Sequence, residues 1–140
     1  MIYQATKTIA NAFNDAELKC SIQEVDSVSF VETRFTGDNC TITLRYFSTG
    51  DDNDVQVIAE PFAKYPESKF QDGYKMMNKL SQTYRYLKFT MSDEGGVCVR
   101  FDFPASLSTE VVGKVAVEMA LRCVSIVNEA YIEIMKSIWR

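Results

Sequence analysis

The sequence contains no histidine among its 140 residues. Histidine is the general base of hydrolase triads and a frequent metal ligand, so its absence excludes both kinds of site together. The chain also lacks a Gly-rich phosphate loop and a serine nucleophile elbow. Carboxylate or lysine chemistry remains open. Because the commonest enzymatic motifs are absent, we predict a protein that is not an enzyme and that needs no cofactor.

The sequence also lacks closely spaced cysteines. Cys20, Cys40, Cys98 and Cys123 form no CxxC pair, so the spacing typical of a metal site is absent. Each cysteine has apolar neighbours, as free thiols in a protein core do. We expect buried free thiols in a reducing cytoplasm, with disulfides as the alternative.

Long hydrophobic runs are missing as well. No apolar stretch approaches the ~20 residues that span a bilayer, and the N-terminal MIYQATKTIANAF has no basic segment followed by an apolar one. We therefore expect neither a signal peptide nor membrane insertion. A net charge of −4 and a pI near 4.9 argue against attraction of the whole surface to nucleic acid. The prediction is a cytoplasmic protein that binds no nucleic acid.

The hydrophobic pattern predicts one α+β domain over residues 1–140. Apolar residues at helical spacing predict helices over 3–20, 69–84 and 108–140. Alternation predicts strands over 28–35, 40–46, 55–62, 87–91 and 97–103, with a bulge where Phe30 and Val31 adjoin. The order is α-β-β-β-α-β-β-α, which predicts a five-stranded, mainly antiparallel sheet packed with helices. Ser108 is the predicted N-cap of the last helix.

The last predicted helix has an unusually narrow polar stripe. Its members fall within roughly 100° of the helix circumference: Lys114, Glu118, Arg122, Ser125, Glu129, Glu133, Lys136 and Arg140. The remaining arc is apolar, which is typical of a helix buried on more than one side. At about 48 Å it exceeds a domain diameter of roughly 37 Å, so it bends, breaks near Gly113, or projects. We predict that its end, with Ile134, Ile138 and Trp139, binds a partner.

A basic segment over residues 64–88 is the second predicted partner-binding region. It contains six basic and two acidic side chains with interleaved tyrosines. The candidate residues are Tyr74, Asn78, Lys79 and Arg85. The alternatives are an acidic partner or second subunit, nucleic acid, or a solvated face. Asn78 and Asn128 are predicted either to fix the register of an interface or to bond within the monomer.

Two acidic groups are candidates for a metal site. The turn from Gly50 to Asp54 offers clustered oxygens for calcium, but it lacks the glycine and the distal glutamate of an EF-hand loop. Glu129 and Glu133 form an i,i+4 pair with no histidine to assist them. In both places the prediction is a solvated surface without a metal.

The segment from Met76 to Pro104 resembles the YbjN-type family of bacterial putative sensory transduction regulators. The resemblance lies in Met77-Asn78-Lys79-Leu80-Ser81, Leu87-Lys88-Phe89, Gly95-Gly96, Val97-Cys98-Val99 and Asp102-Phe103-Pro104. Ser81 stands where the family often has a second asparagine. The element order is similar to that of the type III secretion chaperone-like fold. The resemblance implies a dimer-forming, non-enzymatic protein that binds or regulates other proteins.

The leading hypothesis is therefore a homodimeric protein-binding module, chaperone-like or regulatory, with another protein as a further partner. A second hypothesis is a small-molecule or lipid-tail binder with an apolar pocket between the C-terminal helix and the sheet. A third is a structural subunit of a larger assembly.

Overall fold

A computed structural model describes residues 1–50 and 54–140. The helices are α1 (Gln4–Asp15), α2 (Phe70–Thr83) and α3 (Thr109–Trp139), and a 3-10 turn spans Glu67–Lys69. The strands are β1 (Ser21–Val25), β2 (Val28–Thr36), β3 (Thr41–Ser48), β4 (Asp54–Ala59), β5 (Ala63–Lys64), β6 (Lys88–Met91) and β7 (Gly96–Pro104). The α+β class and the antiparallel sheet are confirmed.

The strands form one antiparallel sheet in the order β1-β2-β3-β4-β7. At Val97, β7 pairs with β5 on one side and with β6 on the other, so β5 continues the line of β4. Pro61 lies in the break between β4 and β5, because proline has no N–H to donate to a ladder. The predicted third strand, 55–62, therefore ends at Ala59, and β5 follows it as a separate strand.

The predicted count of five strands is wrong, because β1 and β5 were missed. All five residues of β1 are exposed, so no alternation of apolar and polar residues marks this edge strand. It pairs with β2 through a turn in which Asp26 has a φ of 54°. The predicted bulge at Phe30–Val31 is also wrong, since β2 and β3 pair without interruption. Phe30 instead contacts Phe47, with ring centroids 5.0 Å apart, on the sheet face opposite Val31.

The core lies between the helices and the sheet, with Tyr46 of β3 near its centre. The Tyr46 hydroxyl donates to the carbonyl of Ala116 in α3 at 2.8 Å. Its ring is edge-on to Phe13, Phe101 and Phe103. Burial raises the pKa of Tyr46 well above its ordinary value. The hydroxyl remains a neutral donor, which fixes α3 over the middle of the sheet.

The helices match their predicted positions except at one end. The first helix ends at Asp15, not at residue 20, since the chain turns at Glu17 with a φ of 59°. The hydroxyl of Ser108 accepts a hydrogen bond from Val111 N at 3.3 Å, so the predicted N-cap is confirmed. α3 is continuous over 31 residues and does not break at Gly113. A Cβ at Gly113 would lie 2.9 Å from Cβ of Ala12, so the glycine allows α1 and α3 to pack closely.

Candidate functional site

The inner side of α3 is a stripe of mostly small side chains. Buried residues recur at intervals of three and four, which places them on one face of the helix: Gly113, Ala116, Ala120, Cys123, Val127, Ala130 and Ile134. The predicted exposure of the polar stripe is confirmed. Ile134 is fully buried in its own chain, so its side chain is not available to a partner. Ile138 is half-buried against the same core.

The outer side of α3 carries large apolar side chains that we call the outer stripe: exposed Leu121, Ile132 and Trp139, and half-buried Met135. Leu121 is 52%, Ile132 46% and Trp139 80% exposed. Intervals of seven and eleven residues correspond to about two and three turns, so these three side chains share one side of the helix. Near the C-terminus Ile132, Met135 and Trp139 border a recess of about 400 Å³ that Tyr131 and Asn39 also line.

The turn between β2 and β3 holds the middle of α3. The Asn39 backbone N–H donates to Oδ1 of Asn128 at 2.8 Å, and the Asn39 side-chain amide donates to the Asn128 carbonyl at the same distance. Of the two alternatives for Asn128, the structure therefore contains the bonds within the monomer. Asn78, the other candidate, is exposed on α2.

The basic segment divides between two places in the structure. Lys79 lines a cleft of about 520 Å³ between α2 and the end of α3, and its ammonium lies 3.4 Å from a carboxylate oxygen of Glu133. Arg85 lines a separate cleft of about 430 Å³ in which the Arg122 guanidinium lies 5.6 Å from the centroid of the Tyr86 ring. The predicted basic residues therefore do not form one surface.

Tyr74 lies beside Phe70 near the start of α2, with ring centroids 6.4 Å apart, and it is 46% exposed. It lines neither of the two clefts that contain Lys79 and Arg85.

Sequence reasoning missed the other half of the 520 Å³ cleft. Lys136 and Arg140 of the C-terminal segment face Lys69 and Lys75 across it. We call this the basic cleft and define it by five cations: Lys69, Lys75, Lys79, Lys136 and Arg140. The two groups are more than fifty residues apart in the chain, so only the packing of α2 against α3 brings them together. The sequence signal for this half is a pair of basic residues four positions apart, Lys136 and Arg140.

A groove of about 920 Å³ between α1 and α3 was also not predicted. Its lining includes Ala12, Ala16, Gly113, Val117 and Leu121, and its rim includes acidic side chains. The predicted apolar pocket was placed between α3 and the sheet. There the contact of Tyr46 with α3 occupies the space instead.

The thiols and carboxylates are the remaining candidates for a reactive or metal-binding group. All four cysteines are free, and burial raises the pKa of Cys123 to about 12. In residues 1–50 and 54–140, no three Cys, Asp or Glu side chains come together to hold a metal ion. Of the turn considered for calcium, residues 51–53 lie outside the described part. None of the described helices is long and apolar enough to cross a bilayer.

The residues that resemble the YbjN-type family form one structural unit of α2, β6 and β7. The hydroxyl of Ser81 accepts a hydrogen bond from Phe89 N at 2.9 Å, which ties α2 to β6. Gly95 has a φ of 92°, a conformation that favours glycine, in the turn before β7. Comparisons of the chain with family models, curated proteins and solved structures give no match. The family resemblance stays a prediction.

Proposed function

We propose that this protein is a non-enzymatic protein-binding module that acts as a homodimer, in a chaperone-like or regulatory role. The observation that carries the proposal is the outer stripe, with Trp139 80% exposed beside Ile132 and Met135. Exposed apolar residues clustered on one surface mark a site of contact with another protein. Tryptophan in particular is enriched among the residues that dominate interface energies.

The spacing of the outer stripe supports a second copy as the occupant. An antiparallel pairing of two α3 helices, centred between Ser125 and Asn128, would place Leu121 beside Ile132 of the partner subunit. Such a pairing repeats each contact twice about a two-fold axis, which gives a closed dimer. With Ser125 and Asn128 between Leu121 and Ile132, the positions on this side of α3 recur at alternating intervals of four and three residues, as in helices that pack side by side.

Charge along α3 supports the same pairing. It would place Glu118 of one protomer beside Lys136 of the partner subunit. Glu118 contacts Arg122 at 2.6 Å within the chain, whereas Lys136 forms no ion pair with another described residue. Both side chains are exposed, so each is available to a second copy. Complementary charges of this kind fix the register of an interface more than they strengthen it.

Sedimentation equilibrium at micromolar concentration tests the proposal. We expect a dimer for the wild-type chain and a markedly weaker one for Ile132→Asp, because the substitution buries a carboxylate in the interface. Val25→Asp is the matched control, since Val25 is 57% exposed but lies on the edge strand β1. A wild-type monomer, or equal dimer affinities for Ile132→Asp and Val25→Asp, would contradict the proposal.

The second candidate function is binding of a small molecule or lipid tail. The observation that favours it is the groove between α1 and α3, where Val117 and Leu121 offer apolar surface. Native mass spectrometry of the purified protein tests it: a retained apolar ligand whose occupancy falls in Val117→Glu would favour this function. Retention that is unchanged in Val117→Glu would exclude the groove.

A further inference from the structure

The basic cleft concentrates positive charge on an acidic protein. Five cationic side chains and the two carboxylates Asp72 and Glu133 line it, which gives +3 on a chain whose net charge is −4. The cleft lies between two helices that contact each other directly. Lys75, Lys79 and Lys136 therefore project from packed helices, whereas Lys69 lies in the 3-10 turn before α2 and Arg140 directly follows α3.

Most of this positive charge is not neutralised within the part of the chain that the structure describes. Lys79 lies 3.4 Å from Glu133, which is the one ion pair within 4.0 Å that involves a cleft cation in residues 1–50 and 54–140. Lys69, Lys75, Lys136 and Arg140 have no such partner in that part of the chain. Like charges held close together repel one another, and an anionic ligand relieves this repulsion.

We propose that the basic cleft binds an acidic peptide segment of a partner protein. The inference rests on the proposed function, in which the partner is a protein. It adds that the segment bound by the cleft is acidic. Carboxylates of the segment would pair with Lys69, Lys75 and Arg140. Half-buried Met76 lines the same cleft, so it offers an apolar contact between the charges. The methylene stems of the lysines add to that contact.

The lining favours a peptide over a nucleic acid. No aromatic side chain is among the residues that line the cleft, so a base has no ring to stack on there. Asp72 and Glu133 lie among the cations and would repel a continuous row of phosphates. A peptide can space its carboxylates apart and place apolar or amide groups opposite these two residues.

Fluorescence anisotropy with a labelled ten-residue peptide of alternating Glu and Ala tests the inference. We expect binding that weakens as salt is raised. We also expect the Lys69→Glu/Lys75→Glu variant to bind at least about tenfold more weakly, because close charge pairs contribute strongly to such contacts. Lys7→Glu/Lys19→Glu is the matched control, since it makes the same charge change at exposed lysines of other elements. Its affinity should stay within about threefold of wild type.

Three outcomes would overturn the inference. The first is no binding of the Glu/Ala peptide at millimolar protein. The second is equal loss in the control variant, which would assign binding to overall charge. The third is tighter, cleft-dependent binding of a single-stranded RNA of similar length. Sedimentation of the same variants separates peptide binding from dimer formation, because Lys69 and Lys75 lie outside the outer stripe. A monomer that binds the peptide through the cleft would contradict the dimer alone.

Discussion

The close contact between α1 and α3 gives a sharp prediction about the fold. A Cβ at Gly113 would lie 2.9 Å from Cβ of Ala12, a distance that real Cβ atoms do not reach. Glycine in the middle of a helix normally costs up to about 1 kcal/mol relative to alanine, so Gly113→Ala would stabilise a helix that had space there. In this protein the added methyl group must push the two helices apart.

The magnitude follows from two opposing contributions. Overpacking of a well-filled site costs about 1–3 kcal/mol, against a gain in helix propensity of up to about 1 kcal/mol. Gly113→Ala should therefore leave stability unchanged or lower it by up to about 2 kcal/mol. Ala12→Gly removes the opposing methyl group at its own propensity cost. In the double variant the two methyl groups no longer clash. The propensity effects cancel from the coupling energy between the two substitutions, which should therefore stabilise the double variant by about 1–3 kcal/mol relative to the sum of the single variants.

Urea unfolding of the wild type, both single variants and the double variant measures this coupling energy. Far-UV circular dichroism should report one transition, because a domain of this size normally unfolds in two states. Ala16→Gly serves as a control, since Ala16 follows α1 and is exposed. A coupling energy near zero between Ala12 and Gly113 would refute the packing of α1 against α3. A stabilised Gly113→Ala single variant would do the same.

Further predictions concern three side chains: Cys123, Tyr46 and Asn128. At pH 8 a thiol with a pKa near 12 is ionised in about one molecule in ten thousand. Iodoacetamide should therefore label Cys123 only in urea. Equal labelling of Cys123 and half-buried Cys20 in the folded protein, measured by mass spectrometry, would contradict the burial of Cys123. Because only the unfolded chain ionises this thiol between about pH 9 and pH 12, its contribution to stability is complete below that range and is lost as pH rises through it, which urea midpoints would show. Tyr46→Phe should lower the free energy of unfolding by about 1 kcal/mol, because the bond to Ala116 is lost; an unchanged urea midpoint would argue against that bond. Asn128→Ala should lower it by a similar amount, and Asn128→Asp, which keeps an acceptor for the N–H of Asn39, should be the milder change in the same assay.

Much of the fold could be predicted because its elements have one buried and one exposed side. α2, α3 and the alternating strand β3 show the repeats of their secondary structure directly in the sequence. β1 could not be predicted in this way, because both of its faces are exposed and no alternation remains. The Phe30–Phe47 contact misled the prediction of a bulge. An aromatic pair on the second face of a sheet looks like a change of the inward side when only one strand is considered.

The candidate sites depended more strongly on tertiary structure. Trp139 was predicted as an exposed partner contact, and it is the most exposed large apolar side chain among the described residues. Ile134 was also predicted as a partner contact, but it is buried. It lies four residues after Ala130, so it continues the inner side of α3, which packs on the core of its own chain. The basic cleft joins Lys69 and Lys75 to Lys136 and Arg140. No local pattern shows which end of a long helix will pack beside α2.

The antiparallel pairing of two α3 helices is the central claim, and a charge exchange tests it most directly. Glu118→Lys and Lys136→Glu should each weaken the dimer in sedimentation equilibrium, because each places like charges opposite one another across the interface. The double variant exchanges the charges and should restore an affinity close to that of wild type. A double variant that dimerises no better than the single ones would contradict this pairing.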